Sequence, residues 1–386
     1  MASREHHAAR HRRRDDGHRT TRRRLLPAVV PLVVVVLVAA CTDAPPEPVR
    51  PTRPLRADVT VTLGEREVVL DAGADGFPSA SYFTYAWQGR TYGVLSGGGR
   101  HVRYAEPLAV PLSGGEPMGG LEPGPAELDR RAATLDGVYA DDGGTLHGIY
   151  QAEHPLRDPA DDSEPHRSLA YATSTDGGRT WIKPGYPDNQ VVTAPPGGEA
   201  GEASLLVVGD DLYLFFAQNR QTTMARAPKA DGGRPGSWRK WYCPTPEERE
   251  QAGVADPKPG ERPYCDFLEP GLGGKATPIS GLKGNPFVTR NDLLQAYLAV
   301  DDTVREGRVA FRTSEDLQTW LGVANEPTLP EPEPGWGYLA ASQVADDGSS
   351  STTGLTFWLY YLEWNEPASA TRLLVRQRVS LTPVGP

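Results

Sequence analysis

The sequence predicts an all-β chain built from repeats of one small sheet, and three observations carry that expectation. From about Leu55 to Pro386, apolar residues come in short alternating runs broken by glycine and proline, with no long stretch of helical periodicity. Five strand-like segments rich in aromatic or branched residues each follow a polar turn: Gln88 to Tyr92, Gly144 to Tyr150, Asp211 to Phe216, Asp292 to Leu298 and Leu355 to Tyr361, spaced roughly 55 to 80 residues apart. That spacing suits four-stranded sheets with loops between them. Finally, the segment Ser174-Thr175-Asp176-Gly177-Gly178-Arg179-Thr180-Trp181 returns in worn form as Ser314-Glu315-Asp316-Leu317-Gln318-Thr319-Trp320.

Taken from the N-terminus, the first element is a processing signal over residues 1–40 that stands outside the fold. Arginines run to Arg24, and the apolar stretch from Ala28 to Ala40 that follows is shorter than the roughly 20 residues of a membrane-spanning helix. It ends in Val38-Ala39-Ala40-Cys41. This end resembles the bacterial lipobox, which implies that Cys41 is lipidated and opens the mature chain at the outer face of the cytoplasmic membrane. Thr21-Arg22-Arg23 is compatible with twin-arginine export as well as the general route. Residues 41–56 hold Ala44-Pro45-Pro46-Glu47-Pro48, Pro51 and Pro54 and read as an extended tether. The folded domain is expected over residues 57–386, attached to the membrane by the lipid alone.

Within that domain the duplicated segment has a physical reading. Asp-Gly-Gly marks a tight turn, because the carboxylate accepts from nearby amides and glycine supplies positive φ, while the closing tryptophan folds back onto the apolar layer. Each copy follows a strand-like run, Leu169 to Thr173 or Arg308 to Arg312, and so reads as a hairpin between two outer strands. The pattern resembles the Asp-box hairpin of β-propeller proteins, sialidases among them, with the carboxylate holding the turn. With five aromatic strands, the fold class expected is a five-bladed β-propeller, a closed ring around one funnel; a sixth repeat is not found.

Composition bounds the partners. The chain carries a net charge of −10, but its first 40 residues hold 9 Lys/Arg against 3 Asp/Glu, so the remainder holds 31 against 47, a net of −16. Nucleic acid and anionic lipid surfaces are therefore poor partners. Cys243 and Cys265 lie in one irregular stretch with no histidine between them, and an exported chain most simply joins such a pair as a disulfide; a zinc site would need two further ligands. No metal and no cofactor is expected, and the chain is expected to act as a monomer.

The chemistry of a propeller is expected where the innermost strands begin, just ahead of each aromatic strand. Those segments read Ala74-Asp75-Gly76-Phe77-Pro78, Leu135-Asp136-Gly137, Gly201-Glu202-Ala203-Ser204 and Gly284-Asn285-Pro286-Phe287: three acids, then an amide. Here the chain resembles the five-bladed glycoside hydrolases of the arabinanase, β-xylosidase and invertase group. The resemblance implies Asp75 as base or nucleophile, Asp136 as the residue that tunes and orients, and Glu202 as general acid. Asp75 is followed by Gly-Phe-Pro where that family has proline directly, and Glu199 competes with Glu202. Hydrolysis of a glycosidic bond needs one protonated and one ionised carboxyl, which mutual repulsion and burial can provide. The competing reading is that these acids only satisfy backbone amides in turns. Asn285, Glu153, His154, His147, Trp87, Trp336 and Trp364 are candidates to contact a sugar, the tryptophans by stacking. Arg226, Arg312 and Arg376 fall on outer strands and make no convincing three-arginine carboxylate clamp, and the Phe/Tyr-Arg-Ile-Pro motif of sialidases is missing. The expectation is therefore a carbohydrate-directed hydrolase, with a glycan- or protein-binding module as the alternative and a sialidase less favoured.

Overall fold

The computed structural model describes residues 59–72, 77–97, 99–124, 129–154, 166–257, 264–301, 306–330, 336–365 and 371–384. Strand β1 (Val59–Asp71) comes first, and the sheets then follow one another along the chain. Blade one holds β2 (Phe83–Trp87), β3 (Arg90–Gly97), β4 (Arg100–Tyr104) and β5 (Glu116–Pro117), and blade two β6 (Ala132–Ala140), β7 (Leu146–His154), β8 (His166–Ser174) and β9 (Gln190–Val192). Blade three has five strands: β10 (Ala200–Val208), β11 (Asp211–Gln218), β12 (Gln221–Pro228), β13 (Arg239–Tyr242) and β14 (Asp266–Pro270). Blade four holds β15 (Phe287–Asn291), β16 (Ala296–Val300), β17 (Phe311–Ser314) and β18 (Leu321–Gly322); blade five starts with β19 (Trp336–Val344). After β20 (Thr352–Thr353), which pairs parallel to β15, blade five continues with β21 (Thr356–Asn365) and β22 (Arg372–Pro383). The molecule is an all-β, five-bladed propeller.

The ring closes through its first strand. β1 pairs antiparallel with β22 from Val59 opposite Pro383 to Asp71 opposite Leu373, so the outermost strand of the last blade comes from the start of the domain. Apolar layers fill the seams between blades. Tyr139, Ile149, Leu169 and Tyr171 of blade two meet Leu212, Leu214, Phe216 and Trp238 of blade three. Phe215, Met224 and Trp241 then meet Val288, Ala299 and Trp320 of blade four, and Tyr82, Leu95 and Tyr104 of blade one meet Tyr360, Leu362 and Leu374 of blade five. Burying both faces of each sheet is what makes a four-stranded unit stable only as part of the ring.

The five aromatic segments all become the second strand of a blade, β3, β7, β11, β16 and β21, which places the inner strand just before each. The largest shift of a strand start is in blade four: Asp292 to Gln295 form a turn and β16 begins only at Ala296, because Asn291 Oδ1 accepts from the Leu294 amide at 2.9 Å and ends the preceding strand.

Both duplicated segments join the third strand of a blade to its outer edge, in blades two and four. In the first, Asp176 accepts from the Thr180 amide at 2.9 Å and the Thr180 hydroxyl at 2.6 Å, while Gly177 and Gly178 take φ of 74° and 85°. The second keeps this wiring, with the Thr319 amide on Asp316 at 2.7 Å and the Trp320 indole on the Leu317 carbonyl at 2.9 Å. Leu317 has replaced the glycine at a φ of 63°, and its buried side chain packs into the layer with Trp320 and Trp241. Cys243 and Cys265 are joined as a disulfide that ties the end of β13 to the start of β14.

Candidate active site

Strand direction fixes which end of the ring can hold a site. β6 begins at Ala132 opposite Glu153 and ends at Ala140 opposite Leu146, so the starts of the inner strands and the end of β7 share one rim. A cavity of about 330 Å³ opens there, and all five blades line it: Ser79 to Ser81 from blade one, Asp136 from β6, Glu202 from β10, Asn285 and Phe287 at β15, and Leu339 to Ala341 from β19. Its volume lies at the small end of the range of ligand pockets, enough for about one or two sugar rings.

Bulges aim the two acids. The β6–β7 ladder skips from Leu135 to Gly137, leaving Asp136 unpaired, and the β10–β11 ladder skips from Gly201 to Ser204 around Glu202 and Ala203. An extra residue in one strand bends it and turns a side chain away from the regular alternation. Glu202 reaches a φ of 52°, a left-handed conformation costly for a side-chain-bearing residue, and its amide donates to Gln151 Oε1 at 2.6 Å. β19 has the same kind of irregularity at Ala340, with φ of 56°, but only a methyl group there. The blades thus repeat a local geometry and fill it with different chemistry.

A polar network connects these residues. Arg167 Nε donates to Glu153 Oε1 at 3.2 Å and its Nη1 to Glu202 Oε1 at 3.4 Å, while Gln151 Nε2 donates to Glu153 Oε1 at 2.8 Å. Asn285 Nδ2 donates to Glu202 Oε2 from the next blade. Asp136 Oδ2 accepts from the Ala203 amide at 3.1 Å. Burial pushes the Asp136 carboxyl well above the usual carboxylate range; the Ala203 amide opposes that, and the charges of Glu202 and Glu153 add to it. Asn285 Oδ1 is buried with no hydrogen-bond partner in the protein. An unmet buried acceptor costs about 1–3 kcal/mol, which a ligand hydroxyl could recover. Among the described lining residues Arg167 is the one cation; Asp301, also in the wall, lies 3.6 Å from Arg312.

Asp136, Glu202, Glu153 and Asn285 are therefore brought together. Asp75 lies outside the described residues, and the described part of blade one offers Ser79, Ala80 and Ser81 to the cavity. His154 ends β7 and Trp336 opens β19 at the same rim, with side chains outside what is described. Cys41 also lies outside the described residues.

Four expectations are corrected. Trp87 is no sugar platform: it ends β2, at the end of the ring away from the cavity, where its indole donates to the Gly144 carbonyl at 2.8 Å and its ring covers Gly177. Glu199 does not line the cavity; its backbone exchanges hydrogen bonds with Asn219 just before β10 begins. His147 is buried at that far end between Tyr171, 2.6 Å away, and Asp141, 3.0 Å away. Trp364 stands outside the lining as well, packed over Gly337.

Gln151 and Arg167 were not anticipated. Gln151 was hidden in an aromatic strand, two residues before Glu153 on the same face, and Arg167 pairs across the ladder from Glu153 only once the β7–β8 register is known. Among the described residues no group of three or more His, Cys, Asp or Glu side chains is placed to hold a metal ion.

No family model and no curated protein matches the sequence. Among solved structures the chain is similar to the GH43_1 enzyme from Xanthomonas citri complexed with xylose, at 13% identity and a TM-score of 0.47, over 82% of this chain and 90% of that one. It is also similar to a thermostable family-43 glycoside hydrolase, at 13% identity and a TM-score of 0.48, over 84% of this chain and 96% of that one. A third likeness is to a mutant GH32 β-fructofuranosidase from Bombyx mori in complex with sucrose, at 12% identity and a TM-score of 0.45, over 81% of this chain and 65% of that one.

Proposed function

We propose that this propeller hydrolyses a glycosidic bond in a neutral carbohydrate. The observation that carries the reading is the meeting of Asp136 and Glu202 from neighbouring inner strands in one cavity, with contrasting surroundings: one carboxyl half-buried against an amide, the other held by a guanidinium and an amide side chain. Two carboxyls made unlike by environment are what acid and base steps on one substrate require. The orphaned Asn285 Oδ1 would accept from a sugar hydroxyl. An anionic sugar would find Arg167 already neutralised by Glu153 and Glu202. Asp75, to which the family resemblance assigns the base, lies outside the described residues.

The test is incubation of the purified domain with arabinan, xylan and fructan oligosaccharides, following new reducing ends or released monosaccharide. Hydrolysis of one class, lost in Asp136→Asn, is expected. No turnover of any of them would reject the reading. A glycan-binding module without turnover is the second reading, favoured by the hold of Arg167 and Asn285 on Glu202; binding by calorimetry with no product would select it.

The proposal extends to location. Lipidation at Cys41 would tether the propeller to the outer face of the cytoplasmic membrane through residues 41–56. Cys41→Ala should abolish incorporation of radiolabelled palmitate in a bacterial host, and unchanged labelling would contradict the anchor.

A further inference from the structure

We infer that the proton in the cavity resides on Asp136 and that Glu202 is the ionised partner, so that Asp136 is the acid of the pair. As a statement about hydrolysis this rests on the function proposed above; as a statement about where the proton sits, it does not. It moves the acid from Glu202, where the family resemblance puts it, to Asp136, to which the resemblance gives only a tuning and orienting part.

The argument is a comparison of partners. Both carboxylate oxygens of Glu202 accept from side-chain donors: Oε1 from the Arg167 guanidinium at 3.4 Å, and Oε2 from the Asn285 amide. Every one of those donors favours a negative charge. Among the described residues Asp136 has a single donor, the Ala203 amide at 3.1 Å, and no cation. The charged groups facing it, among the described residues, are Glu202 on β10 and Glu153 on β7, both negative, and Arg167 is spent between those two. Asp301, in the opposite wall, is directed to Arg312. Burial and two like charges raise the Asp136 carboxyl well above its ordinary range. Among the described groups, one proton shared among three acids and one guanidinium leaves the cluster at minus one, and the acid with the fewest donors is where it costs least to place it.

In the hydrolytic step Asp136 gives its proton to the glycosidic oxygen as the bond from that oxygen to the anomeric carbon breaks. Water forms the new bond to that carbon and loses a proton to the Glu202 carboxylate. The two residues finish with their protonation exchanged, and transfer through solvent resets them.

Carboxyl ¹³C NMR of the domain labelled separately at aspartate and glutamate reads the proton directly. At pH about 6, two units above an ordinary aspartate, one aspartate resonance should sit at the protonated position, vanish in Asp136→Asn and persist in Glu202→Gln. A protonated signal that vanishes instead in Glu202→Gln, or its absence from the parent protein, would overturn the inference. Should Asp136→Asn not fold, Asp136→Glu keeps the acid and should move the protonated signal from the aspartate to the glutamate label; a protonated aspartate signal that persists there would overturn the inference. If the expected spectrum is found but no glycoside is hydrolysed, the hydrolase reading falls while the proton assignment stands. With p-nitrophenyl α-L-arabinofuranoside or β-D-xyloside as substrate, Asp136→Asn should lose about 10²-fold or more on a poor leaving group and much less on the nitrophenyl one. Glu202→Gln should lose equally on both.

Discussion

Gln151 is the residue whose removal should do most damage without touching either proposed catalytic acid. It is buried, its Oε1 accepts the Glu202 amide at 2.6 Å, and its Nε2 donates to Glu153 at 2.8 Å. Gln151→Leu is close to isosteric and removes both bonds. Orphaning the Glu202 N–H costs about 1–3 kcal/mol, and the lost bond to a charged carboxylate about 1.5–3 kcal/mol, against about half that total regained from leucine packing. The net is about 2 kcal/mol, which with a melting entropy of about 2.1 cal/mol/K per residue lowers Tm by about 3 °C. Glu202 also loses the bond that holds it at a φ of 52°. Relaxation of that bulge would move its carboxylate, and a displacement of about 1 Å costs on the order of 10²-fold in rate. Calorimetry and hydrolysis rates, measured on the same sample, check both figures. A variant with parental Tm and parental rate would refute the claim that this bond sets the Glu202 conformation.

Two further expectations concern stability. Leu317→Gly relieves about 1–2 kcal/mol of left-handed strain but forfeits a buried leucine worth about 2–5 kcal/mol and adds chain flexibility; urea unfolding should show a net loss of about 2 kcal/mol, and a gain would mean that the leucine is not packed as described. Lys240 is fully buried among the Thr193 and Gly274 carbonyls and Gln218 Oε1, at 2.6, 2.7 and 2.8 Å, and burial lowers its pKa from 10.5 to about 8. A lysine with a depressed folded pKa binds fewer protons folded than unfolded between those values, so its contribution to stability rises from pH about 8 to about 10.5. The stability difference between the parent and Lys240→Met should grow in the parent's favour across that window, and a flat difference would contradict it.

The blade plan was legible because each aromatic second strand has to bury both faces, which writes the same apolar signature five times. Asp136 and Glu202 could be found from it, since the inner strand precedes the aromatic one. Their bulges could not: shifting a ladder by one residue leaves no mark in composition, yet decides which face a side chain takes. Trp87 illustrates the same limit at longer range. Its place at the end of β2, away from the rim, follows only when strand direction is tracked through the blade. Arg167 is 35 residues from the Glu202 it contacts, and the fifth blade's outer strand comes from β1, more than three hundred residues from its partner Pro383. Leu317 looked like erosion of a glycine turn in the sequence and is a core residue in the fold.

The most direct measurement of the proposed chemistry is the turnover number of the purified domain on a glycoside it hydrolyses, set against that of Glu202→Gln and Asp136→Asn under the same conditions. Each variant should stay folded by circular dichroism and lose about 10²-fold or more in kcat on an unactivated substrate, and the double variant should lose little beyond the worse single one, because the two carboxyls act as a unit. Folded variants that hydrolyse as fast as the parent would place the chemistry elsewhere and contradict the assignment of this funnel as an active site.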